Sequence, residues 1–299
     1  MHGGSQTAVN WLNTPDGRPG WAEYFVNCGF DVYLVDQPQR GRSAWHPAHD
    51  NQLRNTSVQR VEKMFTAPEQ FCLWPQAKHH SQWPGKGRKG DPVFDQFYAS
   101  QVESVASDAI TERNLQQSVA KLLDKIGPAI LVTHSQSGSA GWAIADIRSL
   151  KVQAIIAIEP ACPPIMEHEV FGGKMHLRWG VTHNAIEYSP PLKNATELKL
   201  IQEIESQGDD LSHCWLQVQP AHQLPNLANI PVLVLVSEAS YHAAYDHCTV
   251  QWLRQAGVNV DFIRLKDLNI RGNGHMMMLE KNNIEIAGVV IKWLETHVI

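Results

Sequence analysis

The sequence predicts an α/β fold with a mostly parallel sheet and helices on its faces. Three observations carry that prediction. Apolar, β-branched runs at Ala129–Val132, Val152–Ile158, Pro231–Val236 and Val260–Leu265 alternate with helix-period segments at Glu112–Ile126, Ser139–Ile147, Asp246–Ala256 and Ile284–His297. The first run passes directly into Thr133-His134-Ser135-Gln136-Ser137-Gly138, a Ser flanked by small residues, with a helix-compatible stretch behind it. The 299 residues, 43% apolar and 18% charged, suffice for one domain with a sizeable core and insertions.

In chain order, Trp21–Phe30 reads as a helix, Asp31–Val35 as a strand and Asp36–Ser43 as a polar loop at the strand end. Trp45 to about Thr111 fits no strand–helix unit: it is long, rich in His, Trp and Gln, and broken by Pro75 and Pro84. Glu112–Ile126 leads into Ala129–Val132, and Val152–Ile158 ends at Glu159-Pro160. Ala161 to about Asn229 again fits no such unit, with a helix expected at Ala195–Gln207. Residues 1–299 thus read as a single domain, with about 45–111 and 161–229 as lid insertions emerging on one edge of the sheet. Trp45, Phe71, Trp74, Trp179 and Trp215 are candidates for pocket walls or for ordinary core packing.

The run into Ser135 has the layout of a nucleophile elbow, a sharp strand-to-helix turn that lifts a Ser Oγ above the sheet. Small residues are needed at Thr133 and Ser137, where the two backbones approach, and the following helix aims its first N–H groups at a developing oxyanion. Ser137 is the alternative nucleophile; Ser135 is preferred because it directly follows the apolar run. A Ser hydroxyl needs a general base that is itself oriented by an acid. His275, in Asn273-Gly274-His275-Met276, lies after the last apolar run and before the final amphipathic helix, so position marks it among 15 histidines. The acid is either Glu159, at the end of Val152–Ile158, or Glu238, after Pro231–Val236, where Ser240 occupies the place of a usual Asp. Glu159 is preferred.

These residues resemble a branch of bacterial and fungal α/β-hydrolase esterases whose triad is Ser–Glu–His, the Glu following the sixth strand of the family. The matching segments are Thr14-Pro15-Asp16-Gly17-Arg18 with Gly20-Trp21, Asp36-Gln37 with Arg40-Gly41-Arg42-Ser43, His134-Ser135-Gln136-Ser137-Gly138, Glu159-Pro160, and Gly272-Asn273-Gly274-His275-Met276-Met277-Met278 with Asn282-Asn283. They span most of the chain in the family's order. The resemblance implies an α/β-hydrolase fold with Ser135 as nucleophile, Glu159 as acid and His275 as base. It also implies an oxyanion hole from the backbone N–H groups of Gly4 and Gln136. In the family two adjacent cysteines can stand in the oxyanion loop; here Gly4 and Ser5 do, so no redox feature is expected there.

His2-Gly3-Gly4 would be that loop, which normally follows the third strand, yet only Met1 precedes it. Met1 therefore reads as an internal start, with N-terminal strands missing. Interior strands left unpaired would cost on the order of 1–3 kcal/mol per buried group, and poor solubility or low activity is expected. The alternative is that residues 2–4 are a disordered terminus and form no such loop. For the same reason the lack of a leader-like segment decides no compartment.

A net charge of −5 and a pI near 6.3 give no footprint for nucleic acid, and no apolar run is long enough for a membrane span. The five cysteines (Cys28, Cys72, Cys162, Cys214 and Cys248) match no zinc or redox spacing. Gly85-Lys86-Gly87-Arg88-Lys89-Gly90 fits a dinucleotide fingerprint in letters, but Pro84 before it and Asp91-Pro92 after it make a basic surface loop. His79-His80 and His242/His247 lack metal-ligand spacing, so no metal is expected. The expected activity is cofactor-free acyl transfer from a small-molecule ester to water. The alternatives are a lactone or thioester hydrolase with the same triad, or a non-catalytic binding protein on this scaffold.

Overall fold

A computed structural model describes residues 1–48 and 50–298. The principal helices are α1 (Trp21–Asn27), α2 (Pro92–Ala99), α3 (Asp108–Ile126), α4 (Ser137–Ile147), α5 (Asp246–Gln255) and α6 (Asn283–His297). The main strands are β1 (Ala129–Ser135), β2 (Val152–Pro160), β3 (Val232–Val236) and β4 (Val260–Arg264). The chain divides into two compact units. The first comprises Met1–Ala106, Val236–Tyr241 and Arg264–Ile299; the second comprises Ser107–Leu235 and His242–Ile263.

The second unit is organised by the sheet, in the order β1-β2-β3-β4. β2 runs parallel to both β1 and β3, with Val132 opposite Ile156 and Ile156 opposite Leu233. Ile155, Ile156, Ala157 and Ile158 of β2 and Leu233, Val234 and Leu235 of β3 are completely buried. A parallel strand covered on both faces needs apolar residues on both, which explains the unbroken apolar runs. The crossover between β3 and β4 is α5, as parallel connection requires. Ser107 caps α3, its Oγ accepting from Ile110 N at 3.3 Å, and Gly127 (φ 92) ends it two residues before β1. On α4, a Cβ at Gly141 would meet Thr133 Cγ2 at 3.0 Å, so this helix sits close on β1.

Asp31–Val35 forms no strand among the described residues. Its apolar side chains are no more than half-buried, with Tyr33 exposed, and a strand exists only where a neighbour takes up its N–H and C=O groups. The helix expected at Ala195–Gln207 is also absent. Asn194 caps a single 3₁₀ turn at Ala195–Glu197, and Leu200–Gln202 then pairs antiparallel with Trp215–Gln217. Ile201 and Ile204 remain exposed in this conformation, while Leu198 is buried. Between residues 50 and 111, Pro68 and Pro75 each open a short 3₁₀ turn and Pro92 opens α2, the position where a missing N–H is tolerated. Leu53–Arg54 pairs there with Ser104–Val105.

Cys214 and Cys248 form a disulfide across 34 residues, joining the segment before Trp215 to α5. Closing a loop of that length stabilises the folded state by about 4 kcal/mol in the chain-entropy description. The Cys214→Ser/Cys248→Ser variant should therefore melt several degrees below the parent, as read by scanning calorimetry. No helix among the described residues is long and apolar enough to cross a membrane.

Candidate functional site

In the second unit β1 ends at Ser135, which adopts a left-handed conformation (φ 54). A non-glycine residue held there is strained by roughly 1–3 kcal/mol, and such residues gather where the backbone must aim a side chain. The turn to α4 is tight: a Cβ at Gly138 would lie 2.4 Å from Pro160 Cβ, so only glycine fits. Ser137 takes the place of the second motif glycine by folding its hydroxyl into the turn. Its Oγ accepts from His134 N at 2.9 Å and donates to His134 O at 3.0 Å, and the residue is fully buried. That arrangement commits the Ser137 hydroxyl to the turn. Gln136 is the N-terminal cap residue of α4, with its side chain donating to Asp108 Oδ1 at 2.6 Å.

β2 ends on the same edge. Ser135 is the register partner of Pro160, and Ala161 N donates to Ser135 O at 2.8 Å. Glu159 (φ 45) and Ala161 (φ 49) are also left-handed, and Glu159 is completely buried. Around Glu159 lie two residues whose importance sequence reading missed. His242 and Asp246, both fully buried, are joined by a 2.7 Å contact between Nδ1 and Oδ1. Burial pushes the His242 imidazole down to about 4, against the pull of the Glu159 charge. Burial and the same Glu159 charge push the Asp246 carboxyl well above the carboxylate range. The sequence signal was a His four residues before the Asp that opens α5. Burial, helped by the charges of Glu167, Asp108 and Asp246, raises the Cys162 thiol, which makes it a poor nucleophile. Cys214, His247 and Cys248 sit close enough to hold a metal, but their disulfide removes the two thiolates.

In the first unit His275 is buried, stacked on Phe65 at 5.4 Å between ring centroids and tilted against Tyr241 at 4.8 Å. Its loop is fixed by the buried carboxylate of Glu280, which accepts from Gly274 N at 2.9 Å and Asn273 Nδ2 at 2.7 Å. Ala239 N donates to Asn273 O at 2.8 Å. Glu238, the alternative acid, is instead engaged by Arg271 Nη1 at 2.8 Å and Gly272 N at 2.9 Å, and these partners hold its carboxyl below the usual range although partial burial opposes them. Trp74 proves to be core rather than pocket wall: it is buried on Tyr241 and donates to Ala239 O. Phe71 faces the Lys63 and Arg88 cations.

Residues 2 and 3 are held by side chains of the first unit. His2 is fully buried, Gln37 Nε2 donates to His2 O at 2.6 Å, and Arg40 Nη1 donates to Gly3 O at 2.8 Å. Gly4 is followed by Ser5 (φ 58), whose N donates to Ser104 Oγ at 2.8 Å. Of the five candidate site residues, then, Ser135, Gln136 and Glu159 share one strand edge of the second unit, while Gly4 and His275 belong to separately braced loops of the first.

Glu280 has a further partner. His80 Nε2 donates to Glu280 Oε1 and His80 Nδ1 to Glu69 Oε2, both at 2.8 Å, so the ring carries both protons. Burial alone would lower the His80 pKa, but these two carboxylates raise it to about 9. A raised pKa means that the folded state holds a proton which the unfolded chain releases above about 6.5. The stabilisation is therefore full below pH 6.5 and is lost as pH rises through about 9, amounting to about 3 kcal/mol. The melting temperature should fall by several degrees between pH 6.5 and 9.5, and His80→Gln should flatten that slope in the same calorimetric series.

The chain is similar to known proteins over nearly all its length. An alpha/beta hydrolase family model matches residues 1–289. The probable secreted lipase phiG of Fungal sp. (strain ATCC 74256) is 47% identical over 294 residues, covering 98% of this chain and 80% of that one. The solved structure of a novel bacterial esterase aligns with a TM-score of 0.60 at 22% identity, covering 100% of this chain and 80% of that chain, which speaks to the fold.

Proposed function

This chain belongs to the alpha/beta hydrolase family, and on that premise we propose that it is a serine esterase acting on small carboxylic esters through Ser135, His275 and Glu159. The observation that carries this reading is the left-handed backbone of Ser135 at the turn between β1 and α4, with the neighbouring Ser137 hydroxyl tied into the turn. The name of the related fungal protein, a probable secreted lipase, points to carboxylic esters as the substrate class.

In this reading Ser135 Oγ attacks the ester carbonyl while His275 takes its proton. The backbone N–H groups of Gly4 and Gln136 hold the negative charge that develops on the carbonyl oxygen, each contributing roughly 3–4 kcal/mol to the transition state. His275 then protonates the leaving alcohol. Water repeats the sequence on the acyl-enzyme and releases the acid. Glu159 fixes the imidazole tautomer and stabilises the imidazolium. None of these steps calls for a cofactor. Hydrolysis of p-nitrophenyl acetate and butyrate by the purified chain tests the reading. Steady turnover with a burst of p-nitrophenol equal to the enzyme concentration supports it. A folded sample that shows neither turnover nor reaction with a fluorophosphonate points instead to a binding protein on a hydrolase scaffold.

A further inference from the structure

We propose that His242, held by Asp246, is a positioning residue for the Glu159 carboxylate. The proposal rests on Glu159 being the acid of the triad described above. A carboxylate as completely buried as Glu159 must be given hydrogen-bond donors if it is to remain ionised. A ring nitrogen of His242 lies within 4.8 Å of a Glu159 carboxylate oxygen. Asp246 engages Nδ1, which leaves Nε2 as the nitrogen through which the ring can serve Glu159.

When the pair holds two protons this ring is a donor toward Glu159 in either arrangement, whereas an ionised Asp246 beside a neutral ring would keep the single ring proton on Nδ1 and leave Nε2 an acceptor. If Asp246 is protonated, its hydroxyl donates to Nδ1, and the single ring proton sits on Nε2. If the proton has moved to the ring, the imidazolium carries hydrogens on both nitrogens. Either way the Asp246–His242 pair is neutral overall and presents an N–H. The burial shifts of both groups favour the first arrangement. A neutral donor suits this place: it fixes the orientation of Glu159 without cancelling its charge. Lys or Arg there would satisfy the carboxylate equally well and weaken its hold on the imidazolium formed by the base. Other titratable groups near this pair in the unit include the Tyr245 ring, 4.8 Å from His242, His168 beyond it, whose pKa burial lowers, and the Cys162 thiol, which feels the Asp246 charge.

The two amide substitutions at 242 separate the two sides of the ring. His242→Asn keeps an amide near the place of Nδ1, facing Asp246, and His242→Gln keeps one near the place of Nε2, facing Glu159. Steady-state hydrolysis of p-nitrophenyl butyrate is measured for both, beside Glu159→Gln and the double variant His242→Asn/Glu159→Gln, with fold checked by circular dichroism. Losing a hydrogen bond to a charged group predicts that His242→Asn lowers kcat roughly 10- to 100-fold with KM nearly unchanged, whereas His242→Gln stays within about fivefold of the parent. His242→Asn should add nothing once Glu159 is Gln. The reverse ranking, equal effects of the two amides, or a full additional loss in the double variant would overturn the proposal. If instead Glu159→Gln is itself fully active, the triad assignment falls and takes this proposal with it.

Discussion

Ser135→Ala is expected to lower kcat for p-nitrophenyl butyrate by on the order of 10⁶-fold, the scale seen when a triad serine is removed, while leaving the melting temperature nearly unchanged. Ser135 sits at a left-handed turn and its hydroxyl is not used to build that turn, so its loss removes chemistry and little else. Ser137→Ala is the control with opposite character. It deletes the hydroxyl that binds His134 N and His134 O, and should reduce stability while retaining turnover. If Ser137→Ala were dead and Ser135→Ala active, the assignments of the two serines would have to be exchanged.

The second large effect is expected at the acid. Glu159→Gln should reduce kcat on the order of 10³- to 10⁴-fold, because the amide no longer stabilises the imidazolium and permits the wrong tautomer of the base. Glu238→Gln should remain within about tenfold of the parent. Glu238 accepts from Arg271 and Gly272 N, so its amide variant loosens a loop and leaves the charge at the base in place. Equal losses at both positions, or a larger one at Glu238, would move the acid to the end of β3. The comparison is read from kcat rather than KM, since the interaction strengthens as charge develops on the base.

Most of the fold was legible wherever a residue's surroundings are set by its own neighbours in sequence. β1 to β4 appear within one to three residues of the apolar runs because both faces of a parallel strand demand them. The Ser135 turn was legible for a similar reason: small residues at Thr133, Ser137 and Gly138 mark a place where two backbones must approach. Asp31–Val35 was misread because periodicity records only which residues could form a strand, while strand formation depends on a partner supplied by another segment. Ala195–Gln207 failed in the same way, since Leu200–Gln202 finds a strand partner in Trp215–Gln217 that its own letters do not reveal. The pairs that brace the candidate site were also beyond local reading. His80 and Glu280 are 200 residues apart, and so close a contact leaves no trace in composition or spacing. Cys214 and Cys248, separated by 34 residues, matched no spacing rule and meet only because the segment before Trp215 runs beside α5. His242 and Asp246 were in view as letters, yet only their complete burial near Glu159 distinguishes them from any His and Asp one helical turn apart.

Fluorophosphonate labelling of the active protein, followed by peptide mapping by mass spectrometry, tests the assignment of the nucleophile most directly. A single stoichiometric adduct on Ser135, appearing in step with the loss of p-nitrophenyl butyrate hydrolysis, is the expected result. An adduct on Ser137 or on any other residue, with activity lost in proportion, would contradict it.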